Sequence, residues 1–240
     1  MEEEKKKMSP DISVVVLCYK EGKPIVDFLS KIKKAVEAKG VSYEIIPVSN
    51  FYPGDTDETP NILKNLAQND SHIKPVSKEK KGGFGWDVRM GLKEARGQTV
   101  LFIDGDGQNP AEDVVRVYDS LIENKGDMAQ TYRVKRGDGL QRLLNSRIYN
   151  IFFKILFPNI KILDANSKPK IFTRSALEKL NLVSDDWFID AEIVIQATKL
   201  KFKISQVPTV FLQHENRVSY VKLSAIYEFI KNLIQYRLKG

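Results

Sequence analysis

The chain has 240 residues, 42% of them hydrophobic, a net charge of +7 and a single cysteine, Cys18. That length and apolar content bury one large core, or one core plus a small appendage. One cysteine excludes a disulfide framework and a cysteine-rich zinc site and fits a reducing compartment, and no uninterrupted apolar run of about 18 residues reads as a membrane span. Between Thr131 and Arg174 ten Lys/Arg stand against two acids, a local excess of +8 that carries the whole surplus and points to an anionic partner.

Residues 1–10 read as a charged, flexible start with no signal-like apolar run after Met1. Ile12 to Leu17 is a β-branched strand ending at Cys18-Tyr19-Lys20-Glu21-Gly22, and a helical pattern follows from about Pro24 to Ala38. Tyr43 to Val48 is a second strand, and Ser49 to Asp57 a turn-rich loop. Thr59, as N-cap, and Pro60 open a helix to about Gln68. A short strand near Ile73 to Val76 leads to Lys80-Lys81-Gly82-Gly83-Phe84-Gly85-Trp86 and a helix through Ala95. This glycine-rich stretch matches neither the Walker nor the dinucleotide spacing. It fits a backbone approaching a nucleotide at Gly83, or a plain structural turn.

Val100 to Ile103 reads as a fully buried strand, and Asp104-Gly105-Asp106-Gly107-Gln108 follows at its carboxyl end, where ligands bind in open α/β sheets. Hard oxygen donors on a short glycine loop suit Mg²⁺ or Mn²⁺, above all an ion that also holds substrate phosphates. An acidic turn without metal is the alternative. Asn109 and Pro110 read as N-cap and first helical residue of the next helix, to about Asn124, and Asp127 to Tyr132 as a further strand. Strand, loop and helix alternate throughout, which predicts an α/β fold with a mostly parallel sheet flanked by helices.

From Leu140 to Leu156 apolar residues recur at helical spacing with Arg147 and Lys154 inside the stripe, which suits a membrane surface or a core helix with paired cations. Arg142, Ser146, Tyr149 and Phe153 make a second face. Pro169 to Phe172 is a strand, and Ser184 to Glu192 opens a helix rich in acids, favourable to its dipole or available for catalysis. Lys203 to Phe211 reads as a strand pair broken at Pro208. An amphipathic helix, 223–240, closes the chain, either docked on the domain or lying on a membrane.

Together, Cys18-Tyr19-Lys20-Glu21, the Asp104 to Pro110 loop and Trp187 to Glu192 resemble, in that order, the motifs of inverting family 2 glycosyltransferases with the GT-A fold. Tyr132-Arg133, Arg142, Asn145-Ser146-Arg147, Asn150 and Asp164 to Lys168 resemble, more narrowly, the dolichol-phosphate mannose synthase and polyprenyl-phosphate glycosyltransferase branch. The resemblance spans about residues 12 to 222 and implies one GT-A domain over 11–222. It departs from the pattern twice. Ser49-Asn50 stand where the family has an Asp pair, followed by a longer turn ending Asp55-Thr56-Asp57, and the final basic motif is reduced to Arg217-Val218-Ser219.

The resemblance implies that Tyr19, Glu21, Ser49, Asn50, Gly83 and Asp104 face a GDP- or UDP-sugar, and that Asp104, Asp106 and Gln108 hold Mg²⁺ or Mn²⁺ with its diphosphate. Arg133, Arg142, Ser146, Arg147, Arg217 and Ser219, with Lys222, would hold the phosphate of a polyprenyl acceptor. It implies an enzyme peripheral on the cytoplasmic face of the membrane, with a separate membrane-anchor protein as partner. Displacement at the anomeric carbon by an ionised phosphate needs no strong base, whereas a hydroxyl acceptor would call on Asp190 or Glu192; Asp106 is the third catalytic candidate. A soluble hydroxyl-directed transferase and a non-catalytic membrane-associated sugar-nucleotide module are the alternatives. Nucleic acid is not expected, because the basic residues lie on an apolar helix and not among stacking aromatics.

Overall fold

A computed structural model describes residues 9–136, 153–212, 231–233 and 235–237. The charged start at 1–8, most of the 140–156 helix with Arg142, Ser146 and Arg147, the segment holding Arg217, Ser219 and Lys222, and most of the final helix lie outside the described residues.

In chain order the elements are β1 (Ile12–Leu17), α1 (Pro24–Lys39), β2 (Tyr43–Val48), α2 (Thr59–Asn69), α3 (Phe84–Glu94), β3 (Thr99–Asp104), α4 (Asp113–Glu123), β4 (Met128–Arg136), β5 (Lys170–Thr173), α5 (Arg174–Leu177), α6 (Ile189–Lys199) and β6 (Ile204–Phe211). One six-stranded sheet runs β2-β1-β3-β5-β4-β6. β1 pairs in parallel with β2 and β3, and β4 with β6, whereas β5 is antiparallel to both its neighbours. Five strands therefore point one way and β5 alone points back.

The apolar runs are continuous because both faces of the sheet are covered. Val14, Val16, Leu101 and Ile103 pack against Ile25, Leu29 and Ile32 of α1, Leu63 of α2 and Val114, Val117 and Leu121 of α4. Val15, Leu17, Val100 and Phe102 face the other way, onto Val88 and Leu92 of α3 and Ile189 and Ile193 of α6. Phe153, Phe157 and Ile160 form a third apolar group with Phe188, Val194, Ile195 and Leu233, behind α6. Pro24 begins α1, and Gly40, at φ 71°, ends it in the left-handed conformation that glycine adopts most readily.

Four local expectations give way to tertiary structure. The strand near Ile73 to Val76 is reduced to isolated parallel bridges, Ile45 to Ile73 and Val48 to Val76. Thr59 lies inside α2, where its hydroxyl donates to Asp57 Oδ1 (2.5 Å) and accepts the Gly22 N–H (2.9 Å). α4 begins at Asp113 and not at Pro110: three-residue turns, with Asp113 N–H on the Pro110 carbonyl, lead into it, while Leu212 N–H holds the Gln108 carbonyl at 2.8 Å. Lys203 to Phe211 forms one strand and not two. Pro208 pairs with Tyr132 on the edge strand β6, where its missing N–H interrupts nothing beyond.

Candidate active site

Because five strands run parallel, their carboxyl ends share one edge, and because β5 runs back, the residues leading into β5 reach that same edge. Tyr19 and Glu21 follow β1, Ser49 and Asn50 follow β2, Asp104 ends β3, Arg133 lies late in β4, and Lys168 and Lys170 enter β5. Periodicity could not place the two lysines there, since four strand residues carry no sign of direction.

On the β1 side the loops are strapped together. Lys20, at φ 58°, donates its N–H to Asp57 (3.1 Å) and its ammonium to Asp55 Oδ1 (2.8 Å). Tyr19 meets the Tyr52 ring edge-on at 6.3 Å, and Lys80 Nζ sits 4.3 Å from the Tyr19 centroid. Lys80 is buried and paired with Asp87, a carboxyl that burial raises above its usual range despite Lys80 and Asn50. Asn50 donates to Asp87 Oδ1 and accepts from the Lys78 N–H, both at 2.8 Å, and Ser49 Oγ lies 2.7 Å from Ser77 Oγ. Asn50 is thus tied, through Asp87 and Lys80, to the Tyr19 and Tyr52 rings. Asp55 Oδ2, also buried, has no hydrogen-bond partner among the described residues. Sequence reasoning did not single out Lys80; its partner lies seven residues on, but the two rings above it come from two other loops.

At the centre stands Asp104. Its Oδ1 is buried without a hydrogen-bond partner among the described residues, and its Oδ2 faces Lys168 Nζ at 3.5 Å. Lys168 also lies 2.9 Å from Asp190 Oδ2, while Lys170, fully buried, donates to Asp190 Oδ1 at 2.8 Å and to the Ser167 carbonyl at 2.6 Å. Burial alone would depress both ammonium groups. For Lys168 the Asp104 and Asp190 carboxylates overcome it and raise the pKa, whereas for Lys170 burial prevails and lowers it. Asp106 Oδ1 accepts the Gln108 N–H at 3.0 Å across Gly107, at φ 71°. The Gln108 side chain is buried and donates to the Leu212 carbonyl at 3.3 Å.

Toward β4, Arg133 makes a two-pronged pair with Asp164, Nε to Oδ2 at 2.6 Å and Nη2 to Oδ1 at 2.8 Å. Asp190 and Glu192 have separate partners. Two residues apart on α6, they point away from one another, and Glu192 accepts the N–H groups of Val183 (3.1 Å) and Ser184 (2.9 Å). It holds the 183–184 segment from the first turn of α6.

The glycine-rich stretch packs against that segment. A Cβ on Gly83 would lie 3.0 Å from the Asp185 carbonyl, and one on Gly85 would lie 2.5 Å from that of Ser184 and 2.7 Å from that of Asp186. Phe84 stacks on Trp187 at 4.6 Å, and Arg89 pairs with Asp185. The glycines are therefore required by close backbone approach. Gly85→Ala should destabilise the fold by about 1–3 kcal/mol through overpacking, read as a lower midpoint in thermal melts; an unchanged midpoint would contradict this packing.

The donor set at the β3 end fits a divalent ion shared with a substrate. Asp104 and Asp106 offer hard oxygen ligands, and the buried, unpartnered Asp104 Oδ1 is an open position for a cation. Among the described residues no three His, Cys, Asp or Glu side chains form a self-sufficient metal site, so phosphate oxygens and water would complete the shell.

The sequence profile described as Glycosyl transferase family 2 matches residues 13–181, well over half of the chain. The chain belongs to glycosyl transferase family 2. It is 27% identical over 233 residues to a dolichol-phosphate mannosyltransferase of Pyrococcus furiosus, covering 95% of this chain but 63% of that protein. It is 25% identical over 240 residues to a dolichyl-phosphate beta-glucosyltransferase of Trichomonas vaginalis, covering 93% and 72%. Among solved structures it resembles glucosyl-3-phosphoglycerate synthase of Mycobacterium tuberculosis in complex with Mn²⁺, UDP-glucose and phosphoglyceric acid. The TM-score is 0.73 at 20% identity, over 99% of this chain and 82% of that one. The mainly parallel sheet flanked by helices is the GT-A glycosyltransferase fold.

Proposed function

We propose that this family 2 member is a metal-dependent inverting glycosyltransferase that moves a sugar from a nucleoside diphosphate to a polyprenyl phosphate at the membrane surface. One observation carries the choice of acceptor. Both oxygens of Asp190 are held by the Lys168 and Lys170 ammonium groups, and Glu192 is held by backbone N–H groups. The two acids of α6 are thereby engaged in hydrogen bonds that favour their ionised form and make either one a weaker base. An ionised phosphate needs no such base. The relatives named for dolichol phosphate and the basic segment from Thr131 to Arg174 support the same acceptor.

The donor's base would lie against Tyr19 and Tyr52 beside Lys80, where Asp55 Oδ2 would accept a ring N–H. Asp104 and Asp106 would hold Mg²⁺ or Mn²⁺, whose charge neutralises the diphosphate as it departs. Arg133, fixed in the plane of Asp164, presents a positioned cation to the acceptor phosphate, with Arg142, Ser146, Arg147, Arg217 and Ser219 as its proposed companions. One phosphate oxygen attacks the anomeric carbon as the bond to the diphosphate oxygen breaks, inverting the centre.

Among the described residues no helix is long and apolar enough to cross a membrane. We place the enzyme on the cytoplasmic face, held by its amphipathic helices and by a separate anchor protein. The test is transfer of radiolabel from a panel of UDP- and GDP-sugars into organic-extractable lipid, with polyprenyl phosphate and Mn²⁺. Labelled lipid is expected for one donor. Metal-dependent nucleotide release with the label retained on a water-soluble acceptor would overturn the lipid assignment.

A further inference from the structure

Asp104 is a part-exposed carboxylate with one buried oxygen, Oδ1, and a cation already facing the other. Lys168 Nζ stands 3.5 Å from its Oδ2 and 2.9 Å from Asp190 Oδ2, and 4.6 Å from the centroid of Phe84, whose ring closes that side. The side chain is 8% exposed, so the ammonium has little room to swing into water. Asp190 carries a single negative charge but faces two ammonium groups, since Lys170 holds its other oxygen at 2.8 Å. One positive charge is left over in this buried cluster, and Asp104 is the carboxylate it leans on.

We propose that Lys168 is a resident counter-cation of the strand-end carboxylate, keeping a divalent ion weakly bound until the donor's diphosphate arrives. The inference rests on the donor-site reading above and deepens it by fixing how the metal is admitted. Without Lys168 the metal-free enzyme would hold a half-buried carboxylate with no cation facing its Oδ2. With it, an ion that enters beside Asp104 meets a carboxylate whose Oδ2 already faces an ammonium at 3.5 Å, a like charge that opposes its binding. At such separations the repulsion between a unit and a double charge opposes metal binding even at protein-surface dielectric. A diphosphate brings negative charge to both cations at once and removes that opposition. Metal and nucleotide then bind as a pair, each raising the affinity for the other by the same factor.

The experiment titrates Mn²⁺ into the full chain without nucleotide and follows the free-ion signal by electron paramagnetic resonance. Wild type is compared with Lys168→Met, Lys168→Gln and Lys168→Arg, each accompanied by a thermal melt. The two neutral variants should bind Mn²⁺ at least about tenfold more tightly than wild type, and Lys168→Arg should not. UDP should tighten Mn²⁺ binding by a larger factor in wild type than in the neutral variants. Lys168→Gln, which keeps a polar contact to Asp190, carries the comparison if Lys168→Met unfolds. Wild type that takes up Mn²⁺ with UDP, beside neutral variants that bind the ion no more tightly, would overturn the role of Lys168 alone. Wild type that takes up Mn²⁺ neither alone nor with UDP would overturn the donor-site reading and this inference together.

Discussion

Asp104→Asn should lower sugar transfer into extractable lipid by about three orders of magnitude while leaving the fold intact. The loss follows from charge. The amide keeps the shape of the side chain but removes the negative oxygen that faces the open position, and with it a divalent ion's hold on the departing diphosphate. Lewis-acid stabilisation of a developing charge is worth several kcal/mol, and about 4 kcal/mol is a thousandfold in rate. The fold should survive because the changed atom, Oδ1, makes no hydrogen bond among the described residues, and Lys168 keeps Asp190 at 2.9 Å. The informative comparison is therefore threefold: labelled lipid, the thermal midpoint, and UDP binding measured without metal. Transfer within tenfold of wild type would mean that Asp104 is an acidic turn and not a metal ligand. A midpoint that collapses with the activity would mean instead that the carboxylate is chiefly structural.

What the sequence discloses about this site, and what it hides, follows from how far each signal reaches along the chain. Val100 to Ile103 is apolar at every position because both faces of β3 are covered, so the strand and the carboxylates at its end can be read locally. The same holds for β1 and for Tyr19 beyond it. The reversal of β5 has no local mark, and without it Lys168 and Lys170 look like members of a diffuse basic segment. Asn50 likewise looks like an open polar residue after a strand, until its partner Asp87 arrives from 37 residues away. Local rules also misplace the start of α4. Asn109-Pro110 is a sound capping pair in isolation, but the backbone bond from Leu212 to Gln108 pins that stretch as a turn and delays the helix to Asp113. At α6 the first-turn acids fit two readings, dipole and catalysis, and the sequence carries no sign of a further role for Glu192, which accepts the N–H groups of Val183 and Ser184. For Asn50 and for the start of α4 the winner is a contact between residues distant in sequence, whereas Glu192 is engaged from only eight and nine residues back.

Asp190→Ala is expected to produce the largest loss of stability at the site, about 3–5 kcal/mol, because it strands two ammonium groups in a buried cluster. Lys170 is fully buried and would keep only the Ser167 carbonyl as an acceptor, and Lys168 would keep Asp104 at the longer distance of 3.5 Å. For a chain of this size that loss corresponds to roughly 10 °C in the thermal midpoint. Lys170→Met should cost much less, since the thioether side chain fills a similar volume and Asp190 retains Lys168 at 2.9 Å. The ordering separates two roles that activity alone would confuse. If Asp190 serves as a general base for a hydroxyl acceptor, Asp190→Asn slows turnover and changes its pH profile while the midpoint stays near that of wild type. If it is the anion that neutralises two buried lysines, the midpoint falls with both Asp190→Asn and Asp190→Ala, and residual turnover keeps the wild-type pH profile. An amide presents a carbonyl to one ammonium but an N–H to the other, so Asp190→Asn repairs only half of the cluster and should fall between wild type and Asp190→Ala. That graded series is what an electrostatic anchor predicts and a proton acceptor does not, and it bears directly on whether the nucleophile of this enzyme arrives already ionised.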